Sequence, residues 1–224
     1  MVVGTFFEPG LPFAGEAGAY TAEIPDAWED AWRWLYDGMW GDEPFIPTGP
    51  LAGSPEFGGG NVFGSGRAAM GLTQLWYTCC MADAGENWDV AAFPSYDGVV
   101  HGRMDADTFR VWKGTPNPEE AFEVLTYLIG PEGTVPLIMG TADSDPAYGA
   151  FPALTEFQEP WFDAKAEQFP WVENWALFDQ ALSYPDNPSA EAWRPNILEA
   201  NNRINTFGDL MNNDGAMDFD AELE

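Results

Sequence analysis

Asp105 and Asp107 stand two residues apart, with Arg103 two residues before them. On an extended chain, side chains alternate faces and each residue advances about 3.3 Å, so these three groups share one side. Carboxylates that accept and a guanidinium that donates can bracket neighbouring hydroxyls of a small polar ligand. The same two acids could instead be the acid and base of a glycoside hydrolase, whose carboxyl groups stand about 5 to 9 Å apart. Hydrolase carboxylates usually come from different strands, however, and i, i+2 acids recur by chance in a chain with 37 Asp and Glu. Binding is the preferred reading of the pair. The 11 Trp exceed what a core of this size needs, and flat indoles stack well on the C–H faces of sugars. Trp76, with Tyr77 beside it, and Trp193 are the candidate platforms. For Trp76 the residues leave two roles open, a stacking surface and a Trp buried at a helix start. For Trp193 core packing fits as well as stacking.

Other chemistries find little support. His101 is the only histidine, which excludes a His-dependent triad or a multi-histidine metal site and leaves a turn or hinge residue. Gly58-Gly59-Gly60 lacks the Lys-Ser/Thr that completes a phosphate loop. If Gly215 were the turn glycine of a calcium loop, Leu210 and Ala221 would fall where carboxylates are required. No cofactor and no metal are expected. Cys79 and Cys80 are adjacent and would pair only in a strained ring, so they read as small packing residues and leave the redox compartment open.

The elements that must position these groups follow from the apolar pattern. With 46% apolar residues among 224, the chain can bury a substantial core. Trp28, Ala31, Trp32, Leu35 and Met39 recur at three- and four-residue spacing, which predicts an amphipathic helix over residues 25–40 opened by Pro25. Residues 41–60 are rich in Pro and Gly and read as a long irregular loop. Residues 61–67 suit a short helix. Residues 68–72 and 89–93 suit buried strands, residues 99–107 follow the turn Tyr96-Asp97-Gly98, and residues 109–112 alternate as a strand should. Thr73 is placed to cap a helix carrying Trp76, Tyr77 and the cysteines. Pro116-Asn117-Pro118 before Glu119 and Glu120 is a strong helix start, with the stripe Ala121, Val124, Leu125 and Leu128 behind it. A shorter helix follows Pro131. From Pro160 onward the pattern is helical, broken at Pro170 and Pro185, and a last long helix carries Ile197, Ala200, Ile204, Phe207 and Met211. Strands separated by helices, then a helix-rich C-terminal tail, predict an α/β fold.

The formal charge is −29, with 37 acids against 8 bases. Such a field repels phosphate backbones and anionic lipid heads, so nucleic acid is excluded as a partner and so is a membrane surface. It is either a solvated surface or an adaptation to high salt, where screening relieves the self-repulsion. No run of eighteen apolar residues is present to span a bilayer. Residues 1–15 have no basic segment and are broken by Glu8, Pro9 and Pro12, so they do not read as a secretory signal.

Three stretches resemble extracellular solute-binding proteins of the maltose-binding type, the sugar-binding components of ABC transporters, in that family's order. Phe63-Gly64-Ser65-Gly66-Arg67-Ala68-Ala69-Met70 is similar to the family's F-x-x-G-K-x-A-M turn, with Arg for Lys. Trp88-Asp89-Val90-Ala91-Ala92-Phe93-Pro94 is similar to W-x-V-A-P-x-P near the interlobe hinge. Residues 109–125, with Pro118-Glu119-Glu120-Ala121, are similar to a strand and P-E-x-A-x-x-F-L helix. The paired glycine that many members carry before the returning strand is replaced by residues 102–107. The resemblance implies a lobe of the periplasmic-binding-protein-like II type that binds a sugar in a cleft between lobes and delivers it to membrane permease subunits, in the periplasm or at the cell surface. It favours Trp76 as platform, since an aromatic six residues after the first motif stacks on sugar in the maltose-binding branch, and it places Trp193 near the cleft. It implies that residues 1–100 and 155–224 build a C-terminal lobe, while 101–154 cross the hinge and belong to an N-terminal lobe that is largely missing. A partial chain beginning at an internal Met is the simplest expectation. A hydrolase using Asp105 and Asp107, and a non-transport acidic interaction module, are the rival readings.

Overall fold

The computed structural model describes residues 13–14, 21–22, 24–81, 84–95, 98–100, 102, 109–139, 151–184 and 196–223. The chain divides into two compact units. One comprises Met1–Val62, Pro94–Gly102 and Pro185–Glu224, and the other Phe63–Phe93 and Arg103–Tyr184.

The first unit is built around α1 (Asp26–Trp40), where Pro25 ends the extended approach and Asp26 and Glu29 place negative charge at the positive end of the helix. The stripe read from the sequence is the face that is buried: Trp28, Ala31, Trp32 and Met39 pack with Phe207 and Met211 of α7 (Ile197–Asn213) and Phe219 of α8 (Phe219–Leu223). The Trp32 and Phe207 rings lie 5.2 Å apart, and Trp28 meets Trp32 edge-on at 5.7 Å. The Trp40 indole donates to the carbonyl of Met211 at 2.9 Å. Its ring lies so close to Gly215 that a Cβ there would sit 2.4 Å from it, which makes glycine a requirement of the packing.

At the edge of this core, the Arg33 guanidinium lies 4.4 Å from the Phe219 ring centre and pairs with Glu29 and Asp220. Hydrogen bonds to Asp220 and then Glu29 push Arg33 above its already high ordinary pKa. Tyr36 donates to the carbonyl of Asp214 at 3.3 Å. Burial first, then the charges of Asp214 and Asp37, raise its phenol above the ordinary value.

Within the stretch expected to be loop, Thr48 caps a single helical turn, α2 (Gly49–Ala52), by accepting from the Leu51 N–H. A 3₁₀ segment follows over Pro55–Gly60, in which Gly58 and Gly59 take the left-handed conformation that side chains avoid.

In the second unit the core is aromatic. Trp161 of α5 (Gln158–Gln168) is fully buried at 0% exposure and meets Phe151, Phe162, Trp175 and Phe178 through ring contacts. Phe157, Phe169, Val172, Trp175 and Met81 complete the buried set, and α6 (Leu177–Ala181) closes the segment. Lys165 is also buried, at 2% exposure. Its ammonium donates to Gln168 at 2.9 Å and to Thr78 at 3.4 Å, and lies within 6 Å of the Trp161 and Phe169 rings at 5.9 and 5.7 Å. A buried ammonium is tolerated only with such partners.

Helix α3 (Pro118–Ile129) begins at Asn117, with Pro118 in its first turn and Glu119 and Glu120 facing the dipole, as the sequence predicts. It leads directly into α4 (Pro131–Met139), the helix expected after Pro131. None of its residues is buried. Phe122, Val124, Tyr127, Leu128 and Ile129 are exposed, as are Phe109 and Trp112 before it. An open, largely apolar groove of about 350 Å³ runs between α3 and residues 109–112.

The expected α/β class is not what the chain adopts. Among the described residues the structure is helical, and paired strands are limited to an antiparallel ladder of Phe13–Ala14 with Thr21–Ala22. Residues 68–72, 89–93 and 109–112 form no sheet, and Met70, expected inside a buried strand, is 87% exposed. A helix closes its hydrogen bonds within one segment, whereas a strand needs a neighbour. These segments have the composition of strands but find no partner among the described residues. Residues 61–67 form turns instead of the short helix expected there.

Candidate functional site

Of the residues singled out for ligand binding, Trp76 and Tyr77 lie within the described structure. Arg103, Asp105, Asp107 and Trp193, and likewise His101, lie outside the described residues.

Trp76 and Tyr77 belong to a 3₁₀ segment, Leu75–Cys80, which begins at Gln74 and not at the expected cap Thr73. Three residues per turn put positions 75, 78 and 81 on one side. That side faces inward: Leu75 packs on the aromatic core, Thr78 is buried and meets the Lys165 ammonium, and Met81 is part of the core. Tyr77 is half-buried against the same core. Position 76 falls on another side, and Trp76 is 53% exposed.

The indole is exposed but held. Its Nε1–H donates to Oε1 of Gln74 at 2.5 Å, and its ring meets Tyr77 edge-on with centroids 6.2 Å apart and planes at 72°. A buried Trp at a helix start, the other role left open by the sequence, does not describe this geometry. An aromatic face fixed on a buried turn and open to solvent can stack on a ligand.

A second surface of the same unit was not read from the sequence. The Asp89 carboxylate accepts from the backbone N–H groups of Val90, Glu173 and Asn174, and from the Asn174 side-chain amide at 2.6 Å. This joins the stretch that begins at Trp88 to the approach to α6. Beside the junction lies an open groove of about 400 Å³, in which Val90, Ala91, Ala92 and Leu177 meet Glu173, Asn174 and Gln180. Apolar floor and planar polar rim together suit a small polar solute. The only sequence signal for it was Asp89 inside the W-x-V-A stretch, since nothing local tells that residue 89 reaches residue 174. Among the described residues, no group of three or more His, Cys, Asp or Glu is arranged to hold a metal ion. No helix among them is long and apolar enough to cross a membrane.

A solvent-facing aromatic and a polar-rimmed groove lie on one aromatic core in the second unit. The family model for bacterial extracellular solute-binding proteins matches residues 9–135, more than half of the 224-residue chain. The chain belongs to the bacterial extracellular solute-binding protein family. Proteins of this family are binding proteins and not enzymes, and they act outside the cytoplasm. No curated protein matches the sequence.

Proposed function

We propose that this solute-binding protein is the substrate-binding component of an ABC-type carbohydrate importer. It takes a mono- or oligosaccharide from the periplasm or cell surface and presents it to membrane permease subunits. The observation that carries this reading is Trp76, a large ring 53% exposed on a turn whose Leu75, Tyr77 and Thr78 pack into the core. Exposing an indole forgoes the burial of a large apolar surface, and a pyranose face recovers that area. Tyr77 supports the ring, and Arg103, Asp105 and Asp107 supply donors and acceptors for hydroxyls. Trp193 offers a second aromatic surface.

In this reading residues 1–100 and 155–224 belong to one lobe of the binder, and 101–154 to an N-terminal lobe whose remainder supplies the opposite wall of the cleft. The uncovered apolar face of α3 supports that division, because a stripe of this kind calls for a packing partner.

The test is a sugar titration of the two-lobed protein and its Trp76 variants, followed by calorimetry, with thermal melts of the same samples. Trp76→Ala is expected to weaken binding by about 2 kcal/mol or more, as loss of an anchoring aromatic does, with little change in melting temperature. Trp76→Phe keeps a platform and should lose less. Unchanged affinity in a folded Trp76→Ala protein removes Trp76 from the site.

A further inference from the structure

We infer that Gln74 is a positioning residue for ligand binding, which sets the orientation of the Trp76 indole without itself contacting the ligand; this rests on the reading of Trp76 as the platform. Gln74 is attached at two points. Its backbone carbonyl accepts from the Tyr77 N–H at 3.0 Å and so closes the first turn of the Leu75–Cys80 segment. Its side-chain carbonyl accepts from the Trp76 indole N–H at 2.5 Å.

The indole turns about two side-chain bonds, and a solvent-facing ring held by its neighbours on one side only can swing about both. Tyr77 limits the swing by its edge-on contact at 6.2 Å. The amide of Gln74 limits it at the ring's single donor, whose N–H it accepts in this one orientation. Since the residue that supplies the acceptor also caps the turn, ring and backbone are fixed together. A platform set in its bound orientation before the ligand arrives loses less side-chain freedom on binding.

Two variants separate this role from a structural one. Gln74→Met keeps the length of the side chain and removes the acceptor, whereas Gln74→Glu keeps an acceptor. Each is made in the two-lobed protein, alone and together with Trp76→Phe, which keeps a ring and removes the donor. Glucose, maltose and trehalose serve as probes, and the indole N–H resonance of Trp76, assigned by its absence in Trp76→Phe, reads the hydrogen bond directly without ligand.

Gln74→Met should weaken the best-bound probe about fivefold, the scale of one solvent-facing hydrogen bond. It should shift the Trp76 N–H resonance and leave the melting temperature in place. Gln74→Glu should stay within about twofold of the parent. In the Trp76→Phe background, Gln74→Met should have no further effect, since the bond it removes is already gone.

Wild-type affinity in Gln74→Met, with binding still lost in Trp76→Ala, overturns the positioning role and leaves the platform standing. An equal loss from Gln74→Met in both backgrounds also overturns it, and makes Gln74 a direct ligand contact. If Trp76→Ala binds as the parent does, the platform falls and the role of Gln74 falls with it.

Discussion

Helices α1 and α3 have apolar stripes of the same kind, each opened by a proline and acidic residues, and they meet opposite fates. The stripe of α1 is covered by α7 and α8, which bring Phe207, Met211 and Phe219 onto Trp28 and Trp32. The stripe of α3 buries no residue, and its Val124 and Leu128 stand 58% and 47% exposed. An apolar periodicity therefore states which face of a helix needs cover, not where the cover comes from. For α1 it comes from some 170 residues further along the chain, as the Trp40 to Met211 hydrogen bond marks at a separation of 171. For α3, residues 109–112 border the stripe across an open groove without burying any of it.

The largest test of this contrast is a truncation inside the covered stripe. Trp32 is buried and touches the rings of Trp28 and Phe207, so Trp32→Ala should destabilise the first unit by about 3–5 kcal/mol through lost burial and a residual cavity. Urea unfolding followed by circular dichroism measures it, and a loss under 1 kcal/mol would show that α7 and α8 do not hold this face. A smaller effect comes from the rim of the same core. Arg33→Ala removes an ion pair with Asp220, another with Glu29, and a cation above Phe219. Because solvent reaches both ion pairs, with Arg33 and Glu29 about two-fifths exposed and Asp220 mostly so, the loss should be about 1 kcal/mol and should shrink as salt is added. A loss that does not depend on salt would assign the effect to packing of the arginine stem over the Phe219 ring.

These two outcomes depend on features that the sequence displays to different degrees. The start at Pro25, the stripe of α1, the Asn117-Pro118 start of α3 and the Ile204, Phe207, Met211 face of α7 were legible because helix signals lie within a few residues of the bonds they predict. The strands proposed at 68–72, 89–93 and 109–112 were not correct, because β-branched and apolar composition reports suitability for a sheet whereas the sheet itself requires a distant partner. The site divides in the same way. Trp76 could be named from its residue type and its place after a motif, but its solvent exposure follows from the three-residue turn of a 3₁₀ segment where an α-helix was expected. Gln74 carries no sequence signal of its bond to Trp76 although it is two residues away, because a side-chain amide has no periodicity to betray it. The bridge from Asp89 to Asn174 spans 85 residues and has no local signature.

On α3 the expected sign is reversed with respect to α1. Val124→Gln replaces an exposed apolar side chain of the stripe by a polar one of better helix propensity, so stability of this chain should change by no more than about 0.5 kcal/mol. Association should respond instead. Light scattering at several concentrations in high salt, where the −29 charge is screened, should show less self-association in the variant than in the parent. In the presence of the proposed N-terminal lobe, the same change should weaken the union of the two. A destabilisation of about 2 kcal/mol or more in this chain alone would mean that α3 is already covered, and the contrast with α1 would disappear.

The smallest effect returns to α1 and appears only in alkali. The Tyr36 phenol is raised above its ordinary pKa of 10.0, chiefly by burial and then by the charges of Asp214 and Asp37. The folded state therefore holds this proton more tightly than the unfolded state does. Its contribution is fully present below the unfolded value and is lost as pH rises through the folded one, so the affected window begins near pH 10 and lies above it. Tyr36→Phe removes the titrating group while keeping the ring against Phe219, 5.6 Å away. At neutral pH the variant should be slightly less stable, having lost a long hydrogen bond of 3.3 Å to the Asp214 carbonyl. Above pH 10 the parent should lose stability more steeply than the variant, and the two curves should converge. Urea midpoints taken from pH 8 to pH 11 give the comparison, and parallel curves would show that the phenol titrates alike in the folded and unfolded chain. In that event the rim of the first core would be as open to water at Tyr36 as α3 is at Val124 and Leu128.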